Sequence, residues 1–270
     1  MISDVSIVIP THNSSSTLSA CLESVKSQNY PLKEVIVADN FSKDETINIA
    51  RRFGAIVIER SGRSGNPAST KNVGISKSSG KYVLLLDSDE VLSEGAVQDC
   101  VTLCKRENLG MVKIPLVFVS HSFWGRCSAY WKNCNYLVNK RIIGSIPRFF
   151  VKKIILAAGL FDENLTIGED WELYSRLSRI GVKEAYCSSR MLHIEPSSFK
   201  KIMGRELYYS RFVHSDGRRF EEEYMSIYEN SFLSLQESLK GFDRSPQLVV
   251  GSLFLLFVKT CIWATKFASF

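Results

Sequence analysis

The sequence predicts an α/β protein with a mostly parallel sheet flanked by helices. Apolar runs typical of strands alternate with helical patterns through the first half of the chain. The run at 82–86 has no polar alternation, which is typical of a strand that helices cover on both faces. Four strands joined by three helices form a parallel sheet through right-handed crossovers. With 270 residues, 45% of them hydrophobic, the chain can bury the core of one large domain or of two closely merged ones.

Each element of the first half has its own signal. The first helix has apolar residues at helical spacing and takes Asn13 or Ser14 as its N-cap, and Gly54 closes the second helix. A polar loop with Arg60 and Arg63 precedes the third helix; we favour a solvated loop there, with a phosphate contact as the alternative. The predicted strands are residues 5–10, 34–39, 55–59 and 82–86, and the second and third helices are residues 43–53 and 71–77.

The second half continues with a helix, a strand-like segment and an aromatic region. Residues 111–120 are strand-like, and the aromatic region that follows is predicted to be rich in loops. One face of a helix after Glu94 carries the apolar residues Val97, Cys100, Val101 and Cys104. The aromatic region contains Trp124, Tyr130 and Trp131.

Composition and charge narrow the class of protein. The formal net charge of +6 fits an anionic substrate or a membrane surface, but the chain lacks the concentrated basic tracts of a dedicated nucleic-acid binder. The seven cysteines match neither a C-x-x-C motif nor a zinc pattern, so we expect reduced thiols in a cytosolic compartment. Because a short strand follows Met1 and Asp4 without an apolar segment, we expect no secretory signal.

Acidic residues follow the fourth predicted strand. In an extended chain, Asp87 and Asp89 lie on one side, roughly 6–7 Å apart. At an effective dielectric constant of about 20 their charges repel by about 2.5 kcal/mol, which favours a bound cation. The carboxyl edge of an open α/β sheet is also where ligands bind. The stretch therefore predicts a divalent-cation site, with a solvated acidic turn as the alternative.

A second acidic pair stands at the start of a predicted helix. Glu169 and Asp170 begin this helix, and Gly181 follows its end. Acidic residues in a first helical turn complement the helix dipole, so capping alone would explain the pair. The apolar face of this helix consists of Leu173, Leu177 and Ile180.

Several motifs together resemble a known family. They are "VSIVIPTHN", "VIVADNFSKDET", "TKNVGISKSSGKYVLLLDSDE" and "RFFVKKIILAAGLFDENLTIGEDWELYSRL". In this order and with these separations, the chain resembles the inverting glycosyltransferases of family 2, which have the GT-A fold. The resemblance covers about residues 4–195. It is specific because several independent motifs coincide, whereas a D-x-D motif alone would be weak.

The resemblance implies a metal site. Asp87 and Asp89 match the D-x-D motif, in which the second carboxylate ligates Mg²⁺ or Mn²⁺ at the nucleotide diphosphate and the first lies near the ribose. Carboxylate oxygens suit these hard cations, which neutralise the charge of the departing diphosphate. His193 matches a recurrent family histidine that approaches the metal or the diphosphate; a structural histidine is the alternative.

The resemblance also implies a nucleotide site. Asp39 matches the acidic position that contacts the nucleobase, and Pro10 and Thr11 match the loop that packs against the base. Asn40 stands where many members have a second Asp. Lys71 stands where the family often has Arg and is expected to hold a phosphate as a point charge; an exposed helix lysine is the alternative.

The catalytic residues follow from the same resemblance. Asp170 corresponds to the acidic residue proposed as the catalytic base, which takes the proton of the acceptor hydroxyl as that oxygen attacks the anomeric carbon. A single displacement of this kind inverts the configuration of the anomeric carbon. The helix N-terminus favours an ionised Asp170, and Glu169 is expected to orient the site or the acceptor.

The C-terminal part carries a hydrophobic segment. Residues 248–258 are almost entirely apolar, but a span needs roughly 20 apolar residues, and Lys259 would cost about 2.5–3.5 kcal/mol at the bilayer centre. Interfacial insertion is therefore favoured, with Lys259 and Lys266 reaching headgroups and Trp263 at the interface. A helix buried against the catalytic domain or a second subunit is the alternative. Residues 197–224 fit an amphipathic surface helix or an ordinary solvated one.

These observations predict a metal-dependent inverting glycosyltransferase. The expected donor is a UDP- or GDP-linked sugar, and the expected acceptor is a hydroxyl of a lipid-linked or cell-surface glycan. We expect a cytoplasmic protein, peripheral at the cytoplasmic face of the membrane, with no nucleic-acid partner and with a homo-oligomer left open. The expected division is a nucleotide-sugar-binding half at 1–95, an acceptor-binding half at 96–205 and a helical extension at 206–270.

This prediction has one narrower version and two rivals from other functional classes. A polyprenyl-phosphate sugar synthase is a narrower version whose phosphate acceptor hardly needs a base. A non-catalytic membrane scaffold with a degenerate transferase fold is opposed by the intact acidic motifs. A sugar-phosphate nucleotidyltransferase is opposed by "THNSSST" after the first strand, because that stretch has neither the glycine nor the cation of a phosphate loop.

Overall fold

The chain forms two compact units in a computed structural model. The structure describes residues 3–59, 66–138, 146–212, 237, 239–240 and 245–267. Met1–Leu116 and Ser145–Leu192 form the first unit, here called the sheet unit. Val117–Gly144 and His193–Phe270 form the second, here called the helical unit. The predicted functional division at residues 95 and 205 stays a prediction, and the loop with Arg60 and Arg63 lies outside the described residues.

The sheet unit contains a seven-stranded, mostly parallel sheet, as predicted. Its order is β3-β2-β1-β4-β8-β6-β9. Parallel pairing joins the first four strands of that order, and β8 runs antiparallel to β4 and β6. The strands are β1 Val5–Thr11, β2 Glu34–Asp39, β3 Ile56–Glu59, β4 Tyr82–Leu85, β6 Met111–Lys113, β8 Phe149–Val151 and β9 Glu184–Tyr186.

Helices of the sheet unit cover the sheet. A buried cluster that includes Val8 and Val83 from the strands and Ile75 and Leu173 from the helices forms part of the core. Burying side chains of this size is the main favourable term in folding, at about 1.5–3 kcal/mol each. The helices are α1 Leu18–Lys26, α2 Thr46–Arg52, α3 Pro67–Lys77, α4 Ala96–Glu107, α6 Lys152–Ala157 and α7 Glu169–Arg179, and a short strand β5 spans Glu90–Leu92.

Two helix starts differ from the prediction. The N-cap of α1 is Thr17 rather than Asn13 or Ser14, because Asn13 has a left-handed backbone (φ 50°) and Ser14 belongs to the turn before the helix. Helix α3 begins earlier than predicted, at Pro67. The Asn66 side chain accepts a hydrogen bond from the Ser69 amide, and proline is favourable at the first helical position.

The apolar faces of α4 and α7 agree with the prediction except at one residue. The four predicted residues of α4 are buried, as are Leu173 and Leu177 of α7. Ile180 is wrong as a member of the α7 face, because it lies just after the last helical residue and is 67% exposed. All seven cysteines are free thiols, six of them buried.

Three helices form the described part of the helical unit. They are α5 Phe123–Val138, α8 Phe199–Tyr209 and α9 Pro246–Phe267. The prediction of a loop-rich aromatic region is wrong, because Trp124, Cys127, Trp131 and Cys134 recur at helical spacing and pack toward the interior of the unit. Strands β7 Leu116–Val119 and β10 Met191–Ile194 carry the chain between the two units.

Helix α9 is the apolar C-terminal helix that the sequence predicted. By length and composition, Pro246–Trp263 is apolar enough to cross a membrane, and about a fifth of it, 22%, is buried. Lys259 does not extend freely toward headgroups as expected. Its Nζ lies 2.9 Å from Glu206 Oε1, and both side chains are largely buried.

Candidate functional site

The loops after β1, β2 and β4 meet at the carboxyl edge of the parallel strands. The register pairs Thr11 of β1 with Asp39 of β2, so the ends of these strands are level. Pro10, Asn40 and Asp87 belong to the same edge, because each lies at or just beyond the end of its strand. The chain reverses direction across the sheet between β1 and β4, and ligands of open α/β sheets bind at such a point.

Asp39 is buried and held by hydroxyl groups. Its Oδ1 accepts hydrogen bonds from Thr11 Oγ1 at 2.8 Å and Ser42 Oγ at 2.6 Å, and its Oδ2 accepts one from the Ser42 amide at 2.8 Å. The Asn40 amide donates to the Thr11 carbonyl at 2.9 Å. These bonds fix the loop that the sequence assigned to the nucleobase; the base contact itself stays a prediction.

The D-x-D motif lies in a turn and not in an extended chain. Strand β4 ends at Leu85, the Glu90 amide donates to the Asp87 carbonyl at 2.9 Å, and the Asp87 amide donates to Glu90 Oε2 at 2.8 Å. The expected extended spacing of Asp87 and Asp89 is therefore wrong. A turn closed by Glu90 presents the two carboxylates instead, which are both partly exposed.

Arg148 is a buried cation that the sequence analysis missed. Its Nη2 donates to Asp87 Oδ2 and to Glu90 Oε1, both at 3.0 Å. Its Nη1 lies 3.9 Å from Asp170 Oδ2 and has no hydrogen-bond partner among the described residues. Burial disfavours the guanidinium charge, but the surrounding carboxylates outweigh that cost and raise the pKa of Arg148.

The antiparallel pairing of β8 with β4 brings Arg148 to the motif. Arg148 directly precedes β8, and its carbonyl accepts a hydrogen bond from the Leu85 amide at 2.8 Å. An arginine just before a strand has no distinctive sequence pattern. A weak signal exists in a cation close to the "FFV" strand, but only the pairing of β8 with β4 assigns its partners.

Lys71 is buried between two carboxylates. Its Nζ donates to Asp170 Oδ1 at 2.6 Å and to Glu169 Oε1 at 3.0 Å, and Lys71 is 3% exposed. The alternative of an exposed helix lysine is therefore wrong. Burial disfavours the ammonium, but Asp170 and Glu169 outweigh it and raise the pKa of Lys71. Its predicted phosphate contact stays a prediction.

Asn66, the N-cap of α3, and Asn72 within α3 hold the loop that leads into α7. Asn66 Nδ2 donates to the carbonyls of Glu163 at 2.6 Å and Leu165 at 2.7 Å. Asn72 exchanges two hydrogen bonds of 2.9 Å with the backbone of Phe161. These bonds set the start of α7 against α3, which explains why Lys71 meets the acidic pair.

Glu169 and Asp170 begin α7 after a glycine. Gly168 is the N-cap with φ 76°, and no side chain caps the helix. The acidic pair therefore lies at the positive end of the helix dipole, as predicted. Glu169 is buried, and burial raises its pKa while Lys71 opposes the rise. Asp170 is the more accessible of the two, with its side chain 20% exposed against 11% for Glu169.

The charged side chains at this edge of the sheet, here called the acidic cluster, include more acidic than basic groups. Burial raises the pKa of Glu90 to about 8, with Arg148 opposing the rise and Asp87 and Asp89 adding to it. The acidic members are Asp87, Asp89, Glu90, Glu169 and Asp170, and the basic members are Lys71 and Arg148. This excess of carboxylates fits an added cation.

The donor set fits a divalent cation in part. No group of three or more His, Cys, Asp and Glu side chains is arranged to hold a metal ion in the part of the chain that the structure describes. The carboxylates of Asp87 and Asp89 are hard oxygen donors, and Mg²⁺ commonly takes one or two carboxylates with phosphate oxygens and water. The two residues therefore fit a cation that arrives with a diphosphate.

His193 belongs to the helical unit, whereas the D-x-D motif belongs to the sheet unit. Its Nε2 lies 3.4 Å from Glu195 Oε1, and its ring contacts Phe118 edge-on at a centroid distance of 5.2 Å. These contacts agree with a structural histidine. Its role as a metal or diphosphate ligand stays a prediction.

Chemically, the site of the sheet unit combines the carboxylate of Asp170, the predicted proton acceptor, with the carboxylates of the predicted cation site. Asp170 is oriented through one oxygen by Lys71, and its other oxygen faces Arg148 at 3.9 Å. Arg148 lies close to both Asp87 and Asp170. The predicted base and the predicted metal site therefore belong to one charged network. Such an arrangement suits a displacement in which negative charge leaves on one side while a proton is taken up on the other.

Comparison with known proteins gives related sequences. The sequence profile described as "Glycosyl transferase family 2" matches residues 6–156. A poly(ribitol-phosphate) beta-glucosyltransferase of Bacillus spizizenii is 35% identical over 100 residues, or 34% of this chain and 16% of that protein. The poly(ribitol-phosphate) beta-N-acetylglucosaminyltransferase TarS of Staphylococcus aureus is 25% identical over 198 residues, or 70% of this chain and 33% of that protein. The chain thus spans a minor part of the length of these relatives.

Solved structures share the fold. The crystal structure of S. aureus TarS 1-349 in complex with UDP-GlcNAc matches with a TM-score of 0.59 at 14% identity, covering 93% of this chain and 90% of that one. The crystal structure of S. aureus TarS matches with a TM-score of 0.56 at 18% identity, covering 78% of this chain and 39% of that one. The predicted GT-A architecture is confirmed.

Proposed function

The chain belongs to glycosyl transferase family 2. On this basis we propose that it is a glycosyltransferase that transfers a sugar from a UDP-sugar to a hydroxyl of a polyol-phosphate polymer. The observation that carries this proposal is the network joining Asp170, Lys71, Arg148 and Asp87 at the edge of the sheet. The acceptor class rests on relatives that are named for poly(ribitol-phosphate).

In the proposed reaction, Asp170 is the base. The acceptor oxygen forms a bond to the anomeric carbon of the sugar while the bond from that carbon to the diphosphate oxygen breaks. The diphosphate leaves with the electron pair, and the hydroxyl proton passes to Asp170. An alcohol is a poor nucleophile at neutral pH, so removing its proton lowers the barrier. Attack opposite the leaving group inverts the configuration.

Lys71 and Arg148 are proposed to orient the base. Lys71 donates to Oδ1 of Asp170 at 2.6 Å, which leaves Oδ2 for the acceptor. Arg148 faces Oδ2 at 3.9 Å and also binds Asp87, so it couples the position of the base to that of the D-x-D motif. Glu169 accepts a second hydrogen bond from Lys71 and so helps to hold its ammonium group in place.

Asp39, Thr11 and Asn40 are proposed to form the nucleobase end of the donor site. Their loops are tied together by hydrogen bonds, which is how a preformed pocket is kept rigid. Asp87 and Asp89 would hold Mg²⁺ or Mn²⁺, which supplies Lewis-acid stabilisation of the leaving diphosphate when bound.

A transfer assay tests the proposal. Purified protein is incubated with UDP-glucose or UDP-N-acetylglucosamine, Mn²⁺, and poly(ribitol phosphate) or poly(glycerol phosphate), and sugar incorporation is followed with UDP release. We expect UDP release that depends on the polymer. Loss of a positioned base lowers rates by about 10²–10⁴-fold, so Asp170→Asn should lower turnover by this order while retaining UDP binding.

The controls separate the rival functions. Glu107→Gln removes a partly exposed surface carboxylate from the same unit and should leave turnover unchanged. Transfer to a polyprenyl phosphate with little dependence on Asp170 would favour the synthase. If no combination of donor and acceptor releases UDP or incorporates sugar, the transfer proposal is wrong and the scaffold gains support.

A further inference from the structure

Helix α9 presents an exposed apolar stripe. Val250, Phe254 and Phe257 are 58%, 47% and 67% exposed, and their spacing of four and three residues puts them on one helix face. Cys261, four residues further, is also exposed. Large apolar side chains that are exposed singly are ordinary, but a contiguous row of them marks an interaction surface.

The opposite face of α9 is packed within the helical unit. Val249 and Leu255 are buried, and Ser252 Oγ donates to the Cys127 carbonyl of α5 at 2.8 Å. A Cβ on Gly251 would lie 2.4 Å from Cys127 Sγ, so the two helices are in close contact. Because α9 is packed against protein along one side, its apolar stripe suits contact with the surface of a membrane better than a complete crossing of the membrane.

Aromatic residues of α5 and α8 extend the stripe. The Phe254 ring lies 5.8 Å from Trp124 and 6.0 Å from Phe199, measured between centroids. Phe123, 47% exposed, packs edge-on against Trp124. Aromatic rings that are half exposed beside aliphatic ones are typical of segments at a membrane interface.

Exposed basic residues lie close in the sequence to the aromatic residues of this surface, and the acidic residues of the described segment 193–212 are paired with basic ones. Arg126, Lys200 and Lys201, here called the basic border, are exposed and lie within two residues of Trp124 or Phe199 in the sequence. Residues 117–144 and 245–270 contain no Asp or Glu. The acidic residues of the described segment 193–212 are largely buried in ion pairs: Glu195 with Lys132 and Arg205, and Glu206 with Lys259.

We propose that this face of the helical unit, the apolar stripe with Phe123 and its basic border, binds the surface of a membrane that contains anionic lipids. The stripe enters the region between headgroups and acyl chains, and the basic residues contact the headgroups. A second copy of the chain fits less well, because a two-fold interface would bring like charges of the same basic border together.

Vesicle sedimentation tests this proposal. The full chain is mixed with vesicles of phosphatidylcholine alone or with added phosphatidylglycerol, and the bound fraction is measured. We expect stronger binding to the anionic vesicles and weaker binding as salt is raised. Phe254→Ser with Phe257→Ser should lower the partition coefficient about tenfold or more, because each substitution removes apolar area that the interface would otherwise bury.

Matched variants keep the result interpretable. Ile180→Ser changes a residue as exposed as Phe257, but in the sheet unit, and should not alter binding. Lys200→Glu with Lys201→Glu should weaken binding to anionic vesicles, whereas Lys26→Glu with Lys77→Glu, exposed lysines of the sheet unit, should weaken it less.

Several outcomes would overturn the proposal. The first is no binding to either kind of vesicle. The second is a loss of binding with Ile180→Ser as large as that with the Phe254→Ser and Phe257→Ser pair. The third is a dimer in solution that this pair of substitutions dissociates. Thermal unfolding of each variant checks that the fold is retained. Because binding is measured without a sugar donor, its failure is independent of the transferase proposal.

Discussion

Single buried charges dominate the candidate site at the residue scale. Arg148 contacts two carboxylates directly and a third across 3.9 Å, and only 12% of its side chain is exposed. Breaking a buried ion pair by removing one partner is costly because the other charge stays buried. Arg148 therefore contributes to stability as well as to the geometry of the site.

The first prediction concerns Arg148. Arg148→Met should lower the free energy of unfolding by about 3–5 kcal/mol, because the Asp87 carboxylate loses its counter-charge and the buried Glu90 loses a hydrogen-bond donor. Urea denaturation measures the change. The matched control Arg106→Met removes an exposed pair with Glu107 and should change stability by less than about 1 kcal/mol.

A double-mutant cycle completes this test. Adding Glu90→Gln to Arg148→Met removes the buried carboxyl that has lost its guanidinium partner, so the combined loss of stability should be smaller than the sum of the two single losses. Purely additive effects of the two substitutions would contradict a direct interaction between these side chains.

Glu195 is a second buried charge, in the helical unit. Its carboxylate lies 2.5 Å from Lys132 Nζ and 2.9 Å from Arg205 Nη2, and it accepts from Ser128 Oγ at 2.7 Å. Burial favours the neutral acid, but Lys132 and Arg205 outweigh it and hold the pKa of Glu195 well below its usual 4.5. Burial, with repulsion from Arg205, lowers the pKa of Lys132 to about 8.

The second prediction is the pH dependence that Glu195 causes. A carboxyl with a depressed pKa binds fewer protons in the folded state than in the unfolded state, so it stabilises the fold above pH 4.5. That stability is lost as the pH falls below 4.5 toward the folded pKa. Glu195→Gln should therefore be less stable at pH 7 and should lose less stability on acidification, as measured by thermal unfolding from pH 7 to 3. An unchanged acid slope would contradict this assignment.

At the element scale, the position of α3 decides the site. The helix lies against β1 so closely that a Cβ on Gly74 would be 2.3 Å from Val8 Cγ1. This contact, together with Asn66 and Asn72, fixes Lys71 relative to α7. A shift of α3 would therefore move the lysine that orients Asp170.

The third prediction compares two helical glycines. Gly→Ala in a helix interior normally stabilises by about 0.5–1 kcal/mol, and Gly204 of α8 has no atom within 4 Å of an added Cβ. Gly204→Ala should therefore raise the denaturation midpoint. Gly74→Ala should lower it, with a net cost of about 1–3 kcal/mol, because the added methyl forces α3 away from β1. Gly74→Ala should also reduce transfer activity; a stabilised and fully active variant would contradict the close packing.

At the scale of the whole molecule, charge and apolar surface are unevenly distributed. The sheet unit carries the acidic cluster at the carboxyl edge of its strands, and the helical unit carries the basic border and the apolar stripe. The acidic cluster suits a cation that binds together with a nucleotide. The basic border and the apolar stripe suit the surface of an anionic membrane.

The fourth prediction is metal-dependent stabilisation by the nucleotide. UDP with Mn²⁺ should raise the unfolding midpoint, because a ligand at 100 times its dissociation constant adds about 2.7 kcal/mol of stability. EDTA should remove most of the effect. Asp89→Ala should lose the metal-dependent part, whereas Asp170→Asn should keep it. Equal losses in both variants would contradict separate roles for these carboxylates.

Much of the architecture was predictable from local patterns. The runs that became β1, β2 and β4 are apolar and bounded by turn residues, and the apolar residues of α4 recur at helical spacing. The error at α5 arose because aromatic and polar residues were interpreted by composition and not by their period. The acidic motifs were found because each stands at the end of a strand or the start of a helix.

By itself, the sequence determined the mostly parallel sheet, the family and the acidic residues at its edge, because periodicity and contiguous motifs are local properties. Only the tertiary structure decided that Lys71 is buried against Asp170 and that Arg148 binds Asp87, contacts that join residues 99 and 61 positions apart. It also decided which face of α9 is exposed. Burial and charge pairing depend on which distant segments pack together, and no local pattern specifies that.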